Sequence, residues 1–260
     1  MHALFGTKHI ILIVISLALV VVGYIFSRKL KFEQMAKIML LIGILSETVK
    51  IFYYIIRNED THGGVLPKTD LPFHLCSIQI LFIVVLNFSK NEKLKSLLTS
   101  FMMPSCLIGG LAALLIATDS SRNGMWIITA QYFIYHAAIM VFALYLATDS
   151  EHKPTLAGYF SCLKMLLILM FFSIYINSIL YDGVSDINFM YVVGPPQKNL
   201  PFLNDDKGWL SYILRYASLI LVCVTLFYIK PIVLAAKEMI QNRTAGKKGN
   251  VTEAKEEILK

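Results

Sequence analysis

The chain has 260 residues, of which 57% are hydrophobic and only 16% charged, a balance that excludes an ordinary soluble globular protein and a disordered one. Its net charge of +7 comes from basic residues gathered in particular loops and in the tail, so orientation in a membrane accounts for it and no nucleic-acid partner is expected. Cys76, Cys106, Cys162 and Cys223 fall in four separate apolar runs, with no CxxC pair and no zinc-ligand spacing, so neither a disulfide framework nor a metal site is indicated.

About 18 to 25 apolar residues cross a hydrocarbon core roughly 30 Å thick. Runs of that kind predict spans over His9 to Phe26, Ala36 to Ile56, Leu71 to Phe88, Leu97 to Thr118, Trp126 to Ala147, Tyr159 to Tyr181 and Trp209 to Ile229. The first run carries its basic cluster behind it, in Arg28, Lys29 and Lys31, and lacks a small-residue cleavage pattern; it reads as a retained helix rather than a signal peptide. Basic residues then recur in alternate connections, at Lys90, Lys93 and Lys95, at Lys153, and at Lys230, Lys237, Arg243, Lys247 and Lys248. The opposite connections are mixed or acidic, as in Asn58-Glu59-Asp60, Asp119 and Asp205-Asp206.

The fold class expected is therefore all-α. It is a multi-pass bundle of seven transmembrane helices in the cell membrane, with the N-terminus outside and the C-terminus cytoplasmic. Residues 1–231 form the membrane domain and 232–260 a polar tail, helical at first and then disordered. The sequons at Asn242 and Asn250 would lie in that cytoplasmic tail, out of reach of the transferase.

Ionisable groups inside a membrane cost about 2.5 to 3.5 kcal/mol each on insertion scales and normally face a bundle interior or a wet cavity. Glu47 and Lys50 stand three residues apart on one helix face, as a bundle-locking ion pair or as part of a site. The third run opens Leu71-Pro72-Phe73-His74-Leu75-Cys76-Ser77-Ile78-Gln79, with Pro72 suited to a first helical turn and Cys76 sharing a face with Gln79. His74 points elsewhere on that helix. Thr129, Tyr132, His136 and Met140 form one stripe in the fifth run, close to Gln131. Two roles are open to His136, a hydrogen bond across helices or a catalytic base, and two to Cys76, a small apolar filler or a nucleophile.

At about 1.5 Å per residue, Cys76 falls roughly 8 Å and His136 roughly 15 Å below the outer ends of their spans, with Glu47, Lys50, Asn177 and Arg215 also in the outer half. Of the four cysteines, only Cys76 keeps polar company. The long connection from Asp182 to Gly208, which contains Asn188-Phe189-Met190-Tyr191, is expected over the mouth of this cavity as a lid or as an irregular surface loop.

The segments Leu71 to Cys76, Tyr132-Phe133-Ile134-Tyr135-His136 and Asn188-Phe189-Met190-Tyr191, in this order and spacing, resemble the YwaF-type bacterial integral membrane proteins, a family similar to eukaryotic transmembrane protein 164. The eukaryotic relatives are described as phospholipid acyltransferases with a cysteine and a membrane histidine as catalytic pair. Carried over by motif, the resemblance implies Cys76 as nucleophile and His136 as base, with a membrane phospholipid as substrate and no metal or organic cofactor. The eukaryotic motif runs Pro-Cys-His, whereas here Phe73 follows the proline and Cys76 lies beyond His74.

In this reading Gln79, Gln131 or Asn177 would donate to the oxyanion, and His74, Tyr132, Asn188 and Arg215 would support the substrate. The alternative is a small-solute or ion site using the same cavity, with Glu47, His136 or Arg215 supplying charge.

Overall fold

The computed structural model describes residues 4–57, 66–118, 121–122, 124–149, 152–197, 200, 202–204 and 207–242. The acidic positions Glu59, Asp60, Asp119, Asp205 and Asp206, the basic positions Arg243, Lys247 and Lys248, and the sequon at Asn250 lie outside them. Among the described residues all regular structure is helical: α1 Thr7–Ser27, α2 Phe32–Arg57, α3 Leu75–Phe88, α4 Glu92–Leu115, α5 Trp126–Thr148, α6 Leu156–Leu180 and α7 Trp209–Phe227. Short 3-10 turns occupy Lys68–Asp70 and Phe189–Tyr191, and a further helical stretch covers 229–242.

Six of these helices, all but α3, are long and apolar enough to cross a membrane, so the chain is a multi-pass membrane protein. An isolated span must satisfy its own backbone, and long apolar helices do so within one segment. α4 and α5 form the centre. In α4 every residue from Leu98 to Cys106 is buried, and α5 buries Phe133, His136, Ile139, Phe142 and Leu146 among others. Helices that are apolar all round belong inside a bundle. α1, α2, α6 and α7 surround them and turn large side chains such as Val14, Leu41, Phe171 and Leu214 outward.

Polar atoms tie this arrangement together where the helices meet. His9 Nε2 lies 2.9 Å from the carbonyl of Leu114, joining α1 to α4. Asn87 donates to the carbonyl of Ala36 at 3.0 Å, joining α3 to α2, and Tyr228 donates to the carbonyl of Ser100 at 2.7 Å.

α3 departs from the sequence expectation. It spans 14 residues, about 21 Å, and starts at Leu75, not at Leu71. A proline pushes the residue before it out of the helical region, and Leu71 sits at φ −59° and ψ 149°. After the 3-10 turn the chain makes a second tight turn at Pro72 and Phe73, where the Phe73 N–H donates to the Leu71 carbonyl at 2.8 Å, and the extended His74 follows as the N-cap residue. Cys76 consequently lies in the first turn of α3, rather than a turn and a half into a longer helix.

Candidate functional site

The site is built where α3 begins, against α4 and α5. Gly110 on α4 allows a close approach of α5, and its neighbour Gly109 faces α3. A Cβ added at Gly110 would stand 2.6 Å from Met140 Cγ and 3.1 Å from the carbonyl oxygen of His136, and one at Gly109 would meet Leu75 at 3.4 Å. The contacts at Gly110 leave no room for a side chain, so glycine there lets α4 approach the histidine turn of α5, while Gly109 faces Leu75 of α3 at ordinary van der Waals distance. Tyr135, next to His136, donates to the backbone carbonyl of Cys76 at 2.8 Å and docks α5 on that turn.

Within this convergence His136 is buried, with Nδ1 2.6 Å from the carbonyl of Tyr132 and its ring 4.2 Å from that of Tyr132. That hydrogen bond fixes the orientation of the ring and leaves Nε2 without a partner among the described residues. The Tyr132 hydroxyl donates to the carbonyl of Ala113 at 3.0 Å. No hydrogen bond joins the Cys76 thiol to His136. The backbone N–H groups of Leu75, Cys76 and Ser77 head α3, where an α-helix has no internal acceptors for them, and the N-cap His74 supplies no side-chain bond to them.

The 188–194 stretch of the Asp182 to Gly208 connection does not lie over this region; it enters it. Phe189 is 0% exposed, and its ring meets those of Phe73 and His74 at 5.4 and 5.1 Å. Non-helical backbone at membrane depth is tolerated only when protein satisfies its polar groups, and α6 and α7 supply the partners. Asn177 accepts from the N–H of Phe189 at 2.8 Å and donates to its carbonyl at 3.1 Å, and Ser173 donates to the same carbonyl at 2.6 Å. Tyr216 donates to the Met190 carbonyl at 2.9 Å and Trp209 to that of Val192 at 2.8 Å. The Tyr212 hydroxyl shares its proton between the carbonyls of Tyr191 and Gly194, at 2.5 and 2.8 Å.

Ser173 lies seven residues from the end of α6, so the loop descends about 10 Å along it. The clamp holds Met190 and Tyr191 at φ 54° and 53°, a strained region for side-chain-bearing residues. Tyr191 is thereby brought 5.7 Å from the ring of His74, two residues before Cys76. The Tyr191 hydroxyl has no hydrogen-bond partner among the described residues.

The remaining sequence-derived positions separate into bonded struts and a polar edge. Gln131 donates to Ser46 at 2.6 Å, tying α5 to α2. Gln79 donates to Ser105 at 2.9 Å while its Oε1 is buried without a partner. Asn188 braces its own loop, accepting from Val193 N–H at 3.1 Å and donating to the Gly194 carbonyl at 2.9 Å. Arg215 is spent on the same connection, on the carbonyls of Phe202 and Asn204 at 2.8 and 2.6 Å.

Glu47 and Lys50 pair at 2.8 Å, and Ser77, beside Cys76, donates to Glu47 at 3.3 Å. Ser173, Trp209, Tyr212, Tyr216, Tyr135 and the two glycines were not singled out from sequence. The helical spacing of 209, 212 and 216 is a readable signal, since it marks one polar-tipped aromatic face.

Residues 4–228 match the TMEM164 family. The chain belongs to that family. The TMEM164 match takes in α1 through α7 whole, and with them both halves of the site, the Cys76 turn and the inserted loop. No curated protein and no solved structure matches the chain.

Proposed function

We propose that this TMEM164-family protein, of the YwaF-type bacterial branch, transfers or hydrolyses phospholipid acyl groups through Cys76. The observation that carries this reading is the convergence at the head of α3. A cysteine and uncapped backbone N–H groups head α3. Tyr135, the residue beside the buried His136, whose Nε2 is free among the described residues, is hydrogen-bonded to the Cys76 carbonyl. Tyr191, with a hydroxyl unbonded among those residues, lies against His74 at the start of that helix.

The steps follow from those groups. The Cys76 thiol gives its proton to His136 Nε2, directly after a rotation of the thiol or through one water, because no hydrogen bond joins the two at rest. Sulfur then bonds to the ester carbonyl carbon. The oxyanion forms at the positive end of α3, where the N–H groups of Cys76 and Ser77 and the Tyr191 hydroxyl can donate to it. Collapse breaks the ester C–O bond, and His136 returns the proton to the departing lysophospholipid alcohol. Water or another lipid hydroxyl next attacks the thioester, giving a free fatty acid or a new ester and restoring the thiol.

Gln131 and Asn177, bonded elsewhere, leave the oxyanion to these backbone groups and to Tyr191. The transport reading draws less support, since Glu47 is paired with Lys50 and Arg215 holds the loop.

In this reading α3, lengthened by the 66–74 segment, completes seven crossings. The N-terminus then lies outside and the C-terminus in the cytoplasm of the cell membrane, with the short basic connections facing inward. The test is intact-protein mass spectrometry after incubation with phospholipid vesicles. An acyl adduct on Cys76 that neutral hydroxylamine removes supports the reading, and absence of any adduct under conditions of turnover refutes the covalent route.

A further inference from the structure

α6 and α7 leave between them a crevice of about 260 Å³, close to the lower end of the roughly 300–1,000 Å³ typical of ligand cavities. Leu166 and Met170 form one wall, Ala217 the other, and Leu75, Met190 and Tyr216 the inner end. The flanking Leu167 and Leu221 are about half exposed, at 53% and 47%, on helices that read as membrane spans, so the crevice opens into hydrocarbon. Its lining side chains are apolar apart from Tyr216, whose hydroxyl proton is given to the Met190 carbonyl. Its inner end is formed by the residue before Cys76 and the residue before Tyr191.

We infer that this crevice seats an acyl chain of a membrane phospholipid and presents its ester end to Cys76. The inference rests on the acyl-transfer reading for the destination of the chain. The occupant follows from the crevice itself, since an apolar slot that opens into hydrocarbon and ends at a reactive cluster fits a lipid tail and no water-soluble ligand. Ala217 is the smallest side chain in the lining. A larger residue there closes the slot without touching Cys76, His136 or Tyr191.

The probe is a phosphatidylcholine with a diazirine in its sn-2 chain, in phosphatidylcholine vesicles containing the full chain. Irradiation and peptide mapping should place cross-links on 166–170 and 217–221 above those on α1. Ala217→Trp should lower them about tenfold by overpacking the slot, and Val14→Trp on the outer face of α1 should leave them unchanged. Cys76→Ser should keep the cross-links while losing turnover. Ala217→Leu, a milder filling, should shift turnover toward shorter chains and serves if the Trp variant fails to fold.

Cross-links spread evenly over the outer helices, or unaffected by either Ala217 substitution in protein that elutes like wild type, overturn the inference even where turnover persists. Cross-links in the slot without turnover in wild type leave the slot standing and remove the catalytic reading instead.

Discussion

Replacing Asn177 with alanine should release the inserted loop. The amide accepts from Phe189 N–H and donates to its carbonyl, and the carbonyl keeps Ser173 as a partner in the variant. The N–H does not. An uncompensated buried donor costs about 1–3 kcal/mol, and a central figure of about 2 kcal/mol shifts the open-to-closed ratio of the loop about 30-fold. Val192→Cys reports the change, since Val192 is 2% exposed and is covered only while the loop is seated. Labelling with a maleimide, with the modified peptide identified by mass spectrometry, should run about 30-fold faster in the Asn177→Ala background. Ser173→Ala should accelerate it less, because the Phe189 carbonyl retains Asn177. Equal labelling rates in all three backgrounds would show that these bonds do not hold the loop and would refute the reasoning.

Three further outcomes are expected. Gly110→Val drives methyl groups into Met140 and the His136 backbone, and overpacking of this kind costs about 1–3 kcal/mol. Thermal unfolding in detergent should fall accordingly and turnover should drop with it, whereas Gly194→Val, where a Cβ meets nothing within 4 Å, should do neither. Tyr191→Phe removes a hydroxyl that makes no hydrogen bond, so it should leave unfolding unchanged yet lower kcat by about 100-fold, as loss of an oxyanion donor does; unchanged kcat would remove Tyr191 from the chemistry. The Asp182 carboxyl is held well below the usual range by Lys68 Nζ at 2.7 Å and by the backbone N–H groups of Ser185 and Val184. A depressed carboxyl contributes stability above its unfolded value of about 3.9 and loses it only as pH falls through the folded value. The difference in loop proteolysis between wild type and Asp182→Asn should therefore be the same at about pH 8 and pH 5, and a difference that vanishes by pH 5 would contradict the assignment.

Long apolar runs make the spans readable without any tertiary knowledge, because a membrane demands length and satisfied backbone from each segment alone. Trp126–Thr148 was expected from Trp126 to Ala147 on that basis, and Trp209–Phe227 began where expected. α3 was misplaced at its start because the apolar composition of Leu71 to His74 fits a helix as well as a loop. A tight turn at Pro72 and Phe73, closed by the Phe73 N–H on the Leu71 carbonyl, and the extended His74 delay the helix to Leu75.

The sequence points to a loop above the site, and the structure sets it within the site, for a different reason. Its insertion depends on partners distributed over α6 and α7, Asn177, Ser173, Tyr212 and Tyr216, none of which is local to the 188–194 segment they hold. Asn177 and Arg215 stood out as polar residues at the right depth, and depth alone does not distinguish a residue that meets a ligand from one that carries a loop. Gly110 gives no signal in a single sequence, since the close approach it permits is visible only once Met140 faces it.

The most direct test of the account is the acyl composition of phospholipids in membranes carrying matched amounts of wild type, Cys76→Ser or His136→Ala. The account predicts remodelled phospholipids or released fatty acid with wild type and neither with the two variants, while replacement of Cys106, Cys162 or Cys223 leaves the change intact. Identical lipid profiles for wild type, both variants and a control without the protein would contradict it.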